Sequence, residues 1–313
     1  MIKKLTDNIS RVIVGKDEIV KLMITAMISG GHILLEDMPG SGKTKLAKSL
    51  AASLDAEFSR IQFTPDLLPT DITGLNVYNK AQGVFELRKG PIFANIILAD
   101  EINRATPRTQ AGLLESMEER QVTIDGETYK FAEPFFVIAT QNPIETSGTF
   151  PLPEAQLDRF LMKISMGGLS YDEELSVMDR YMKEDPLSEL KSVLTKEDVL
   201  SMRESAENVY VSEGVRKYIL DIVTATRKHA GVLAGASTRG TLALLNAAKA
   251  YAYVSGRDYV IPDDVSALSV PVLAHRLVLS LGRGSSGAEA GIIRDILKET
   301  VKPTESFTAG RER

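Results

Sequence analysis

The sequence predicts an α/β domain built on a parallel sheet, followed by a smaller all-helical domain. Three observations carry this reading. A short apolar run, Ile33-Leu34-Leu35, leads into the glycine-rich Pro39-Gly40-Ser41-Gly42-Lys43-Thr44 and then into Leu46-Ala47 and Leu50-Ala51-Ala52, apolar at helical spacing. Apolar strands and helical segments alternate up to about residue 167. Beyond Gly167-Gly168 the periodicity is helical, and strands alternating with helices followed by helices alone argue for two domains of these types. The boundaries are set at 1–167 for the α/β domain with its N-terminal helices, 168–302 for the helical domain, and 303–313 for a polar tail that should fray.

In chain order, residues 3–13 read as an amphipathic helix (Leu5, Ile9, Val12, Ile13), Val14 to Asp17 as a turn, and 17–30 as a second helix closed by Gly30-Gly31. Residues 57–62 alternate as a strand. The stretch 63–94 is rich in Pro and Gly and reads as irregular, except that Leu75–Tyr78 and Val84–Leu87 flank a polar turn and predict a hairpin. Residues 95–99 form an unbroken apolar run of the kind buried in a parallel sheet, ending at Asp100-Glu101. A helix over about 106–119 follows, then a second hairpin over 121–131 with Asp125-Gly126 at its turn. Phe135 to Thr140 is another buried strand and runs into Gln141-Asn142-Pro143. A short helix at 154–160 and a strand at 161–166 complete the α/β part. Helices are expected at 171–184, 196–206, 212–228, 238–254, 262–280 and 287–300.

Composition narrows the function classes. With 43% hydrophobic and 25% charged residues, the chain has the balance of a soluble globular protein. No apolar run approaches the roughly 20 residues that span a bilayer. The N-terminus lacks the apolar core and cleavage site of a signal peptide, so membrane insertion is not expected and the cytoplasm is the default. The chain has no cysteine, which excludes disulfides and thiolate metal sites. A net charge of −5 gives no general attraction to nucleic acid. His32, His229 and His275 are scattered and read as packing or surface residues rather than metal ligands.

The chemistry begins at the glycine-rich loop. Glycines let backbone N–H groups approach phosphate oxygens, and the following helix offers unpaired N–H groups and the positive end of its dipole. Lys43 adds a charge for the β and γ phosphates, and Thr44 a hydroxyl for Mg²⁺. Asp37 stands where the phosphate-loop consensus has its first glycine, and its side chain is expected to turn away from the phosphates. Asp100, at the end of an apolar strand, is placed to hold Mg²⁺ through water, and Glu101 to act as general base on the attacking water. Asn142 ends the next strand and would lie near Glu101 and the γ-phosphate, orienting water without competing for its proton. Arg159, just before the last strand, and Arg239, at the start of a helix, are placed to stabilise the charge that develops in phosphoryl transfer, but spacing alone favours a surface salt bridge for either.

Together these stretches resemble the AAA+ ATPases, and within them the MoxR family. The resemblance is carried by LLEDMPGSGKT, ILADEINRATPRTQAGLLESMEERQVTIDG, VIATQNP, LPEAQLDRF and GASTRG, and it extends over nearly the whole chain. It implies an ASCE-type five-stranded parallel sheet with a helical lid, and ATP and Mg²⁺ bound between subunits of a homo-oligomeric ring, usually a hexamer. Lys43 and Thr44 match the Walker A ligands, within a nucleotide-binding set that also takes in Pro39, Gly40, Ser41, Gly42 and Lys45. Asp100 and Glu101 match Walker B, and Asn142 matches sensor 1. Arg159 matches an arginine finger that enters the neighbouring site, Arg104 a further interface arginine, and Arg239 sensor 2. Val14 and Gly15 match the segment along the adenine. The hairpins at about 72–90 and 121–131 match elements that face the ring's pore and contact substrate. The resemblance further implies chaperone-like maturation of protein complexes with von Willebrand factor A domain partners.

Three other readings remain. A nucleic-acid motor is disfavoured because QVTIDGETYK carries Asp125 and Glu127 against Lys130, whereas a phosphate-tracking hairpin should be basic. The ATPase subunit of a metal chelatase is a close relative. A non-catalytic nucleotide switch conflicts with the intact set Lys43, Asp100, Glu101, Asn142 and Arg159.

Overall fold

The computed structural model describes residues 1–36, 40–142, 148–182, 185–280 and 287–304. Asp37, Pro39 and the tail beyond residue 304 lie outside the described residues, and with them the expected outward turn of Asp37. The chain forms two compact units, Met1–Ser205 and Ala206–Arg313. The change in periodicity after residue 167 falls inside the first unit.

The first unit opens with α1 (Ile2–Ser10), α2 (Asp17–Ile28), β1 (Ile33–Glu36), α3 (Lys43–Ser53), β2 (Phe58–Gln62) and α4 (Pro69–Thr73). It continues with β3 (Gly74–Asn79), β4 (Val84–Lys89), β5 (Ile96–Asp100), α5 (Pro107–Glu119), β6 (Gln121–Ile124) and β7 (Glu127–Lys130). β8 (Phe136–Gln141), α6 (Glu154–Leu157), β9 (Met162–Ile164) and α7 (Tyr171–Tyr181) follow, and α8 (Lys196–Glu207) ends where the second unit begins. The second unit holds α9 (Glu213–Lys228), β10 (Val232–Ala234), α10 (Thr238–Val254), α11 (Pro262–Leu273), β11 (Val278–Leu279) and α12 (Ala288–Glu299).

The five strands β2-β5-β8-β1-β9 form one parallel sheet in that order. Its three inner strands are the apolar runs, and Ile33–Leu35, Ile96–Ala99 and Phe136–Ala139 are buried on both faces. On one face Leu34, Ile97, Ala99, Val137 and Ala139 pack with Leu113, Leu114 and Met117 of α5. The register aligns the strand ends: Leu35 lies opposite Thr140, and Gln62 opposite Asp100. Polar residues therefore collect along a single C-terminal edge, where open α/β sheets bind ligands.

His32, just before β1, is buried and wired to the backbone. Its Nε2 lies 3.1 Å from the Met117 carbonyl, and its Nδ1 accepts from the Val137 N–H at 3.0 Å. Both hairpins form. Gly74 and Gly90 flank the β3–β4 ribbon so closely that a Cβ on Gly74 would sit 2.2 Å from the Arg88 carbonyl oxygen.

Three elements differ from the sequence expectation. The first helix stops at Ser10, where Arg180 Nη1 takes up the Ser10 and Arg11 carbonyls at 2.7 and 2.8 Å; Val12 and Ile13 stay buried without being helical. The helix expected over 262–280 ends at Leu273. Ala274–Arg276 tighten into a 3-10 turn, and Val278–Leu279 pair antiparallel with β10. An apolar run that short carries no periodicity to separate strand from helix. Within the irregular 63–94 stretch, α4 begins at a proline, and the Asp71 carboxylate accepts from the Leu68 N–H at 2.9 Å. No described helix is long and apolar enough to cross a membrane.

Candidate functional site

β1 delivers the chain to the glycine-rich loop, and α3 starts at Lys43. Gly40 and Gly42 have φ of 85° and 88°. A Cβ on either would meet nothing within 4 Å, so conformation rather than crowding calls for glycine, at a cost of about 1–2 kcal/mol for other L-residues. Gly42 is the N-cap of α3, and its carbonyl accepts from the Leu46 N–H at 2.9 Å. Lys43 is buried at the head of the helix.

These residues line a cavity of about 970 Å³ within the first unit, at the upper end of the 300–1,000 Å³ typical of small-ligand sites. Its polar lining comes from Gly40 to Lys45, Arg60, Gln62, Asp100 and Glu101, with Lys16 and Glu174. Its apolar lining comes from Val12, Ile13, Val14, Met166, Leu169, Val177 and Tyr181. Gly15 is not in the lining. It turns the chain behind Val14 at φ 66°, where a Cβ would fall 2.1 Å from Glu173 Oε1. Lys16 Nζ donates to the Gly167 and Gly168 carbonyls at 3.1 and 2.6 Å and so joins two segments of the lining. Lys45 lies 3.7 Å over the Tyr181 ring and 3.3 Å from Asp185. Desolvation pulls its ammonium down, but Tyr181 and Asp185 outweigh this and hold it above the ordinary lysine value.

The acidic pair completes the polar lining. Asp100 ends β5 and is buried, and its Oδ1 accepts from the Thr140 hydroxyl at 2.6 Å. The chain then turns left-handed at Glu101 (φ 56°). The Glu101 N–H donates back to the Thr140 oxygen at 2.9 Å. The Glu101 carboxylate accepts from Gln62 Nε2 at 2.9 Å and pairs with Arg104 Nε at 3.1 Å. Behind it, the buried Gln110 amide donates to the Ile102, Ala105 and Phe150 carbonyls at 3.2, 3.1 and 2.8 Å, fixing the segment that follows.

Asn142 is buried directly after β8, on the same sheet edge, but does not line the cavity. Arg159 also stands outside the lining. Its Nε lies 3.1 Å from Glu118 on α5. Arg239 is exposed in the first turn of α10, in the second unit. Thus Val14, Gly40–Lys45, Asp100 and Glu101 share one cavity, whereas Asn142, Arg159 and Arg239 are not part of its lining.

Sequence reasoning missed Arg60, Gln62, Lys16 and Thr140. Arg60 and Gln62 are two apart on one strand and so share a face. That alternation was visible, but not that β2 would be the strand beside β5. Thr140 lay in plain sight two residues before Asn142.

The donor set fits a nucleoside triphosphate with a hard divalent cation. A left-handed glycine loop opens a helix of 11 residues, a buried lysine stands at its head, and apolar residues line the same cavity. Thr44 and Asp100 offer oxygen donors of the type Mg²⁺ takes alongside substrate phosphates.

Comparison with known proteins agrees. Residues 32–162 match the model of the ATPase family associated with various cellular activities (AAA), and residues 224–296 match the AAA lid domain. The chain is 49% identical to the protein YeaC of Bacillus subtilis (strain 168) over 306 residues, covering 97% of this chain and 96% of that protein. It is 45% identical to the chaperone MoxR1 of Mycobacterium tuberculosis over 281 residues, covering 87% of this chain and 74% of the relative. The crystal structure of a candidate ATPase from Cytophaga hutchinsonii superimposes with a TM-score of 0.87 at 42% identity, over 97% of this chain and 95% of that one. Likeness to a MoxR chaperone over most of both chains, on a chain that carries both the AAA core and the AAA lid, makes this protein a member of the MoxR family of AAA+ ATPases.

Proposed function

We propose that this chain hydrolyses ATP with Mg²⁺ in a ring of identical copies, and that hydrolysis drives chaperone-like remodelling of protein complexes. The observation that carries the hydrolytic part is one cavity lined jointly by Gly40–Lys45, Asp100 and Glu101.

The N-terminus of α3 and Lys43 hold the phosphates, and Val14 runs along the base, with Gly15 turning the chain behind it. Mg²⁺, when bound, neutralises charge on the phosphates, with Thr44 and Asp100 as the residues that hold it. Glu101 takes the proton of the attacking water. Gln62 and Arg104 keep its carboxylate in place from two sides. Asn142, on the same strand edge, orients that water. Arg159 acts in the site of a neighbouring copy; in its own chain it is held by Glu118 and stands outside the cavity lining, which supports a role across subunits. Arg239, in the helical second unit, is assigned the sensor 2 role that its match to the family motif implies.

The β3–β4 hairpin is proposed to engage a protein client. Val77, Tyr78, Val84 and Phe85 on it are exposed, with Phe85 71% accessible. Residues 1–167 would form the nucleotide-binding domain and 168–302 the lid. A cytoplasmic setting and a von Willebrand factor A domain partner complete the reading.

The test is a phosphate-release assay on the purified chain with Mg²⁺ and ATP, alongside nucleotide binding. Lys43→Ala should lose binding. Glu101→Gln should keep ATP and lose turnover by on the order of 10²–10⁴-fold, the range for a positioned general base. Wild-type turnover in Glu101→Gln would remove the base assignment, and unchanged affinity in Lys43→Ala would remove the loop assignment.

A further inference from the structure

Arg60 belongs to neither the glycine-rich loop nor the Asp100-Glu101 pair, yet it lines the same cavity. It stands on β2 opposite Leu98 of β5, and its side chain runs along the strand toward the sheet edge. There Nη2 meets Asp100 Oδ2 at 2.7 Å and Gln62 Oε1 at 2.8 Å. The other Asp100 oxygen is taken by Thr140 at 2.6 Å. The arginine side chain is 47% exposed against 13% for the aspartate, so a long, half-exposed cation caps a buried carboxylate from the cavity side.

This placement has an electrostatic consequence. A buried carboxylate left uncompensated is costly, and it would repel the anionic phosphates that the neighbouring loop is built to receive. A divalent cation removes both problems; without one, the guanidinium has to. Because Arg60 is half exposed and flexible, it can leave Asp100 without tearing open packed structure.

We propose that Arg60 stands in for the divalent cation: it neutralises Asp100 when metal is absent, allows metal-free nucleotide to bind, and gives up Asp100 as Mg²⁺ enters. This rests on the reading of Asp100 as the metal-holding acid.

The test measures the affinity of a fluorescent ATP analogue with excess chelator and with saturating Mg²⁺. Arg60→Gln should weaken metal-free binding about 10-fold, the scale of one lost charge interaction of ~1.4 kcal/mol, and change binding with Mg²⁺ by less than about 3-fold. By linkage, the Mg²⁺ concentration giving half the effect should fall by the same factor. Arg60→Lys should restore metal-free binding. Equal weakening in both conditions would overturn the proposal, because Arg60 would then contact phosphate directly or merely support the fold. No change in either condition, or a wild-type protein that holds no nucleotide without metal, would also overturn it. The Lys43→Ala variant keeps the two readings apart: binding as tight as wild type there removes the nucleotide site itself, and the Arg60 assignment with it.

Discussion

The Thr140 hydroxyl donates to Asp100 Oδ1 at 2.6 Å and so ties the end of β8 to the end of β5. The same oxygen accepts the Glu101 N–H, so a single side chain fixes the carboxylate of one acid and the backbone of the other. Thr140→Val keeps the shape and the β-branch but removes both bonds, the buried one to Asp100 Oδ1 and the half-buried one from the Glu101 N–H. We expect a loss of about 1–3 kcal/mol in denaturant or thermal unfolding. ATP turnover should fall while nucleotide affinity stays near wild type. Thr140→Ser, which keeps the hydroxyl, should recover most of the turnover. A Thr140→Val protein that hydrolyses ATP at the wild-type rate would show that this tie does not position Glu101.

Arg159 is held by Glu118 and stands outside the lining of its own cavity. If it works in a neighbour's site, Arg159→Ala should bind nucleotide normally and hydrolyse it on the order of 10³-fold more slowly or worse. Mixing Arg159→Ala with Lys43→Ala should restore activity, since mixed assemblies pair an intact loop with an intact arginine. Mixtures that stay as inactive as their components at every ratio would place the arginine's action within its own chain.

Burial pulls the His32 imidazole from its ordinary 6.5 down to about 4; its bond to the Met117 carbonyl opposes this only in part. The unfolded chain recovers the ordinary value and so binds a proton between pH 6.5 and 4 that the folded chain refuses. Stability is kept in full above 6.5 and falls as pH drops through that window, by about 3 kcal/mol at its lower end. His32→Gln should flatten that slope in unfolding curves taken across the window. An unchanged slope would assign the pH dependence to other groups.

The α/β core was legible because its signals are local. Ile33–Leu35, Ile96–Ala99 and Phe136–Ala139 are apolar without interruption, and only a strand covered on both faces wants that. Asp125 and Gly126 both adopt positive φ, as their turn chemistry requires. The loop and the acidic pair, which line one cavity, stood out because each follows an apolar strand directly. What escaped was set by neighbours in space. Nothing in the order of the chain says that β2 lies beside β5, so the bonds from Arg60 to Asp100 and from Gln62 to Glu101 were invisible. The β10–β11 pair escaped for a different reason: segments of three and two residues are too short to show a period.

The position of β1 in the sheet bears on how the protein is made. Ile33 pairs with Ile138 on one side and Met162 on the other, so the strand that opens the site is flanked by two that come more than a hundred residues later. Parallel pairings at such separation form slowly, because the loop between them must be closed before any contact rewards it. A chain leaving the ribosome carries its glycine-rich loop early, but β1 has no strand to pair with until β8 has emerged. Until then the apolar faces of β1 are open to aggregation.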